Sequence, residues 1–183
     1  MNIRHLCAAA HMAALLCILA PLAIPLASEI PVSLATLGVM LAGALCKEHI
    51  SVAAVCTYIL LGILGLPVFA GYSSGAAIAF GMSGGYIFGY IPLAYCTAYA
   101  AGKIPSESSA FRKYAILSAG MAAGTAILYI IGTVWFMRFT GMGLSASLAA
   151  CVLPFIPGDL LKMGLVILLY PRLKPAADQL LQK

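Results

Sequence analysis

The sequence predicts an all-α membrane protein with six transmembrane helices, and three observations lead to this fold class. Of the 183 residues, 63% are hydrophobic and only 8% are charged, and the mean hydropathy is +1.07. About a quarter of the residues in a typical soluble domain are charged, so a soluble fold is disfavoured. The apolar residues form long runs, and about 20 residues of helix are needed to cross the hydrocarbon core of a bilayer. Nearly all the basic residues lie between these runs.

Six candidate spans follow one another along residues 1–183, which we interpret as a single polytopic membrane domain with no separate soluble domain. Residues 49–102 contain no Asp, Glu, Lys or Arg, and this stretch is too long for one span. It is predicted to hold two spans joined by the Gly- and Pro-interrupted segment 65–85. Pro154 and Pro157 are predicted to kink or break the last span. The predicted spans are residues 6–26, 32–46, 50–66, 84–102, 115–137 and 144–170.

The first span has an alternative interpretation. Its basic flank and the small residues "PLAS" (25–28) are also typical of a cleaved signal peptide. The run is long and the chain stays apolar after it, which favours a transmembrane span.

The positions of the basic residues predict that both termini are cytoplasmic. In this orientation only Arg138 lies outside and Lys162 lies within the membrane, a strong positive-inside bias. The segment 65–85 and the start of the last span then both lie on the outer side. Irregular backbone at membrane depth is tolerated where it lines a cavity, so an outward-facing pocket is expected there. The residues predicted to lie inside are Arg4, Lys47, Lys103, Arg112, Lys113, Arg172, Lys174 and Lys183.

Asp159 and Lys162 are the two charged residues within the last predicted span. They are three positions apart and therefore share a helix face. An ionisable group at the bilayer centre costs a few kcal/mol and usually has a partner or faces a cavity. One interpretation is a salt bridge that only joins helices, and the other is a polar ligand site. Pro157 and Gly158 favour the ligand site, because proline suits a first helical turn and helix N-termini receive polar groups. Discontinuous helices of this kind form the binding sites of transporters.

The stretch "GMSGGYIFGY" (81–90) contains the other candidate ligand-binding residues. Gly81, Gly85 and Gly89 are spaced by four, which is also typical of close helix packing. Glycine equally lets the backbone approach a ligand, and the hydroxyl and ring groups supply polar and apolar contacts. The candidates are Ser83, Gly84, Gly85, Tyr86 and Tyr90.

The first span contains two pairs of alanines with the spacing of close helix contacts. Ala9 and Ala13 form one pair, and Ala10 and Ala14 form the other. Small residues at this spacing permit contact within the chain or with a partner, and we predict a partner-docking face.

Several classes of function are disfavoured by what the sequence lacks. There is no phosphate-binding loop, no H-E-x-x-H, no G-x-S-x-G and no carboxylate pair in any span. The six cysteines form no C-x-x-C, and no Lys/Arg cluster is interleaved with aromatic residues. We therefore predict no catalytic residues, no cofactor, no metal and no nucleic acid, and any ATP hydrolysis must come from another protein.

Four segments together resemble the BioY family, the biotin-binding S components of energy-coupling factor (ECF) transporters. They are "PVSLATLGVMLAGAL" (31–45), "LLGILGLPVFAGYSSG" (60–75), "MSGGYIFGY" (82–90) and "PFIPGDLLKMGLVILLYPRL" (154–173). The resemblance implies a six-helix protein of the cytoplasmic membrane that captures biotin from outside. It also implies a transmembrane T component and two cytoplasmic ATPases as partners, or else self-association. Capture of another vitamin and a non-transport membrane scaffold are the alternatives.

The chain departs from the family pattern at three places. Ala35 stands where glutamine is common, Met82-Ser83 replace a Pro-Thr pair, and Lys47-Glu48-His49 replace a Gly-Pro-type turn. Gly158, Asp159 and Lys162 match the family. By this resemblance Asp159 is expected to accept hydrogen bonds from the ureido N–H groups of biotin. Lys162 either pairs with the ligand carboxylate or keeps Asp159 ionised.

Overall fold

The structure is a computed structural model that describes residues 3–24, 32–105 and 107–182. The described residues contain eight α-helices, one short 3₁₀-helix and one two-residue antiparallel pairing, so the all-α prediction is confirmed. The paired segments are β1 (Ala23–Ile24) and β2 (Val32–Ser33). The helices are α1 (Ile3–Leu19), α2 (Ala35–Leu45), α3 (Glu48–Ile63), α4 (Ala76–Ala79), α5 (Gly84–Gly102), α6 (Ala110–Thr140), α7 (Leu144–Cys151) and α8 (Phe155–Gln182).

Helices α2 and α5 form the centre of the helix bundle. Helix α5 packs along α6 and also contacts α2 and α3, while α2 contacts α8 and α1 contacts α3. Every residue of α2 is buried, although the helix has only 11 residues and a length of about 16 Å. A helix enclosed by protein on all sides does not need to span the hydrocarbon by itself. The packing of α2 against α8 brings the start of α2 next to the predicted charged pair.

The close packing of α5 on α6 depends on glycines from both helices. A Cβ atom on Gly85 would collide with the Trp135 side chain, and one on Gly124 would lie 2.9 Å from the Leu93 Cα atom. The four-residue spacing of glycines in α5 therefore serves helix packing, as small residues do in membrane bundles. Gly81 does not continue this stripe, because it precedes the start of α5 at Gly84.

The last predicted span is broken before Pro154. Helix α7 ends at Cys151, α8 begins at Phe155, and the two helix axes differ by 44°. The predicted kink or break at Pro154/Pro157 is therefore confirmed. The three residues between the helices end at Pro154, whereas Pro157 is the third residue of α8. A proline in the first turn has no intrahelical N–H bond to lose, so the helix continues through it.

The Gly-rich connection between α3 and α5 is folded rather than extended. It contains the 3₁₀-helix Ala70–Tyr72 and the short helix α4. Gly65 and Gly75 have φ values of 105° and 93°, which residues with a Cβ atom rarely adopt. Phe69 is 1% exposed and packs edge-on against Tyr58, with the ring centroids 5.8 Å apart. This aromatic contact anchors the connection to α3.

The helix lengths bear on the predicted number of spans. In the described ranges, α6 is the one continuous helix long and apolar enough to cross a bilayer, and the bent pair α7–α8 is a second candidate. Helices α1, α2 and α3 are apolar but shorter. Six spans and the orientation of the termini therefore stay predictions. Leu26 at the predicted end of span one, the stretch 25–28, Pro31 and Lys183 lie outside the described residues.

Candidate functional site

Asp159 and Lys162 form a buried ion pair in the first two turns of α8. The Lys162 Nζ atom lies 2.9 Å from Asp159 Oδ1, and the two residues are 5% and 3% exposed. The i, i+3 spacing places both side chains on the face of α8 that packs against α2. Burial of two charges is costly unless their remaining polar atoms are also bonded.

Three residues from other elements satisfy the remaining polar atoms of the pair. The Thr36 hydroxyl donates to Asp159 Oδ1 at 2.9 Å, and the Tyr129 hydroxyl donates to Asp159 Oδ2 at 2.6 Å. Lys162 Nζ donates to the Ser33 carbonyl at 2.7 Å and to Thr36 Oγ1 at 2.9 Å. Thr36 thus accepts from the ammonium and donates to the carboxylate. All three ammonium protons have acceptors.

Ser33 fixes the backbone on which this network depends. Its hydroxyl donates to the Ala20 carbonyl at 2.6 Å and accepts from the Ala35 N–H at 2.9 Å. These two bonds tie the end of α1 to the start of α2. They hold the Ser33 carbonyl and Thr36 in place for Lys162, so the start of α2 forms one wall of the charged site.

Two neighbouring cavities give the ion pair access to a ligand-sized space. The smaller has a volume of about 40 Å³ and contains Asp159 and Lys162 in its wall. The larger has a volume of about 410 Å³, within the range of about 300–1,000 Å³ that is usual for small-molecule sites. Its walls come mainly from the connection between α3 and α5 and from the first turns of α5. Ser33, Tyr86 and Tyr90 line both cavities.

The predicted aromatic and hydroxyl residues lie at the junction of the two cavities. The Tyr86 hydroxyl donates to the Cys151 carbonyl at 3.0 Å, and its ring stacks on Phe155 with centroids 6.3 Å apart. Tyr86 therefore joins α5 to both sides of the α7–α8 break. The Tyr90 hydroxyl makes no hydrogen bond to any described residue, which leaves it available to a ligand. Ser83 lines the larger cavity, and its hydroxyl lies 3.4 Å from the Ile78 carbonyl.

Two predicted site residues do not line either cavity. A Cβ atom on Gly84 or Gly85 would collide with the Ala79 carbonyl or the Trp135 side chain, respectively. Trp135 in turn donates its ring N–H to the Gly81 carbonyl at 2.9 Å. The two glycines lie outside both cavities, and because they have no side chain, Trp135 of α6 can approach α5 closely.

The two alanine pairs of α1 have different environments. Ala9 and Ala13 are buried against α3, where they pack with Ile50 and neighbouring residues. Ala10 and Ala14 are exposed on the opposite side of α1. The first pair is used within the chain, and only the second is accessible to a partner.

Ser33, Thr36 and Tyr129 were not among the residues predicted from the sequence. Ser33 and Thr36 are polar residues three positions apart in an apolar segment, and that spacing was the available signal. Tyr129 gives no such signal, because a tyrosine in a span is more often an interfacial residue. Its role follows only from the packing of α6 against α8.

The comparisons with known proteins identify the family. The sequence profile of the BioY family matches residues 1–179. The chain belongs to the BioY family. Relatives include a biotin transporter BioY of Thermotoga maritima, 33% identical over 93% of this chain and 96% of the relative. The biotin transporter BioY of Rhodobacter capsulatus is 34% identical, over 85% of this chain and 86% of the relative. The biotin transporter BioY2 of Lactococcus lactis is 33% identical, over 84% of this chain and 81% of the relative.

A solved structure extends the match from sequence to fold. The crystal structure of the S-component for biotin from an ECF-type ABC transporter is similar to this BioY family member, with a TM-score of 0.81 and 29% identity. The match covers 94% of this chain and 92% of that chain. As a member of this family, the chain is a membrane protein. Its relatives named above are transporters, in agreement with the expectation that it is not an enzyme.

Proposed function

We propose that this protein captures biotin as the substrate-binding subunit of an ECF-type transporter. The observation that carries the proposal is the buried Asp159–Lys162 pair beside a 410 Å³ cavity. Family membership supplies the ligand, because the relatives are named as biotin transporters. A small-molecule site is usually a mainly apolar cavity in which a few polar groups orient the ligand. This site likewise combines apolar walls with a few polar groups, among them Asp159 and Lys162.

The chemistry of biotin fits the polar and apolar parts of the site. Its ureido ring has two N–H donors and a carbonyl, its thiophane ring is apolar, and its valerate ends in a carboxylate. We expect Asp159 to accept the ureido N–H groups and the Tyr90 hydroxyl to bond the ureido carbonyl. Tyr86 and Tyr58 offer ring surfaces to the bicycle. Lys162 already bonds three acceptors, which favours the role of keeping Asp159 ionised over direct pairing with the ligand carboxylate.

The test is calorimetric titration of biotin into the purified chain and its variants. We expect Asp159→Asn and Lys162→Ala each to weaken binding by at least about tenfold, because a bond to a charged group contributes about 1.5–3 kcal/mol. Tyr95→Phe is the matched control, since Tyr95 is half-exposed and stacks, among the described residues, only on Tyr99. Unchanged affinity in both site variants would remove Asp159 and Lys162 from the ligand site.

A second experiment distinguishes the proposal from its alternatives. Riboflavin, thiamine and folate form a thermal-shift panel beside biotin. Stabilisation by one of these and not by biotin would assign the site to another vitamin. Binding of none of the four would favour a scaffold in which the ion pair is purely structural.

We further propose that the chain works in the cytoplasmic membrane with a T component and two ATPase subunits. Six spans with both termini inside account for the positive-inside bias of the loops. The exposed Ala10 and Ala14 face of α1 is the proposed docking surface, because small residues permit a close helix crossing. Self-association through this face is the alternative. Labelling of single introduced cysteines in intact cells would test the orientation, and co-purification would test the partners.

A further inference from the structure

A third cavity, distinct from the two at the ligand site, lies at the opposite end of the bundle. It is formed where α5 ends, where α6 begins and along the C-terminal half of α8, and its volume is about 590 Å³. The proposed biotin site lies at the other ends of these three helices. None of the residues that bind the Asp159–Lys162 pair lines this third cavity, so it is separate from the ligand site.

The cavity contains more positive than negative charge. Among the described residues, Lys113 and Lys174 line it together with a single carboxylate, Asp178. Lys174 Nζ lies 3.0 Å from Asp178 Oδ1 and 3.3 Å from the Leu45 carbonyl, so its position is fixed and its charge is compensated. The Lys113 ammonium forms no ion pair and no hydrogen bond with any described residue. An anion that enters the cavity would therefore meet one uncompensated cation and one positioned cation.

The rest of the wall has the character of a membrane interface. Tyr114 and Tyr170 line the cavity beside Ile104 and prolines. Tyrosine is enriched at the level of lipid headgroups, where a polar tip and an apolar ring are both satisfied. Phe111 directly follows Ala110, which lines the cavity, and it is 84% exposed, as expected of a side chain that faces acyl chains. The cavity thus offers cations for a headgroup and apolar surface for the adjoining chain.

We infer that this cavity binds the headgroup of an anionic phospholipid, with the lipid phosphate at Lys113 and Lys174. Basic pockets between transmembrane helices on the cytoplasmic side have the right charge for such headgroups. A choline or ethanolamine cation would be repelled by Lys113, which disfavours zwitterionic lipids. Tyr114, Tyr170 and Ile104 would be superfluous in a site for a soluble phosphate. This inference does not depend on what the ligand cavity binds.

The test is native mass spectrometry of the full chain in neutral detergent, titrated with phosphatidylglycerol or with phosphatidylcholine of the same acyl chains. We expect phosphatidylglycerol to bind at least about fivefold more tightly, the factor expected for one uncompensated lysine near a headgroup. Lys113→Gln should remove this preference, and Lys113→Glu should reverse it. Lys47→Gln is the matched control, because Lys47 is exposed at the same predicted membrane side but lies outside the cavity.

Three results would overturn the inference. The first is equal affinity of the unaltered protein for the two lipids. The second is a loss of phosphatidylglycerol binding that is the same in Lys113→Gln and Lys47→Gln. The third is displacement of the lipid by inorganic phosphate, which would assign the cavity to a soluble anion. The melting temperature of each variant is measured in parallel, and since Lys113 has no bonded partner among the described residues, we expect it to be unchanged.

Discussion

The Asp159–Lys162 pair predicts a strong non-additivity of protein stability. Asp159→Asn keeps the shape of the side chain and removes its charge, and Lys162→Met does the same for the ammonium. Each single variant leaves one charge in a site where both residues are at most 5% exposed. Loss of one partner of a buried pair costs about 3–5 kcal/mol, because the other charge stays buried without compensation.

The double variant removes both charges and should cost less than either single variant. An asparagine at position 159 can still accept from Thr36 and donate to the Tyr129 oxygen. The Ser33 carbonyl loses the Lys162 donor, and one buried neutral group without its partner costs about 1–3 kcal/mol. The sum of the single costs minus the cost of the double variant is therefore expected to be at least about 3 kcal/mol.

The assay is denaturant titration of the four proteins in detergent micelles without biotin, followed by tryptophan fluorescence of Trp135. If the changes in the free energy of unfolding caused by the two single substitutions add up to that of the double variant, the two buried charges do not compensate each other and the interpretation is refuted. Biotin affinity of the double variant then answers a separate question. An affinity equal to that of the unaltered protein would mean that the pair is structural and that the ligand is held elsewhere.

Three further predictions concern Tyr129, the packing of α5 on α6 and the exposed face of α1. Tyr129→Phe removes the 2.6 Å bond to Asp159 and should weaken biotin binding about tenfold in calorimetry; no change would mean that Tyr129 does not position the carboxylate. Gly85→Ala should lower the melting temperature, because overpacking costs about 1–3 kcal/mol, whereas Gly164→Ala, with open space at its Cβ position, should leave it equal or higher. A reversed order would contradict the packing role of the α5 glycine. Ala14→Leu should reduce co-purification with the partner module and leave biotin affinity unchanged; undiminished co-purification would place docking elsewhere.

The sequence was sufficient for features that depend on hydropathy and charge. The predicted span 84–102 coincides with α5, and the break before Pro154 follows from proline chemistry. The burial of Asp159 and Lys162 together follows from two charges on one face of an apolar helix. The ends of helices were predicted less accurately where a helix continues into polar residues. Helix α6 runs from Ala110 to Thr140, beyond the apolar stretch 115–137 that hydropathy detects.

The remaining features depend on which helices meet, and local sequence does not carry that information. Thr36 and Tyr129 reach Asp159 from 123 and 30 positions away along the chain. The spacing of four between Gly85 and Gly89 suits both ligand approach and helix contact. Only the positions of Ala79 and Trp135 in the fold show that Gly84 and Gly85 are closely packed. The sequence likewise did not distinguish the two alanine pairs of α1. Ala9 and Ala13 are buried because α3 packs on their side of the helix.

The three donors to Asp159 are divided unequally between its two oxygens. Oδ1 accepts from Thr36 and Lys162, whereas Oδ2 accepts only from Tyr129, so a carboxylate with about four acceptor sites keeps one open at Oδ2. One ureido N–H can bond this open site, but a second must displace a donor and gains only the difference between the two bonds. The affinity that remains must come from the apolar wall and from the free Tyr90 hydroxyl. Ligands that offer hydrogen-bond donors but lack an apolar bicycle should therefore compete poorly, and urea itself should not bind measurably. Discrimination would then reside in the fit of the bicycle to the cavity rather than in the charges.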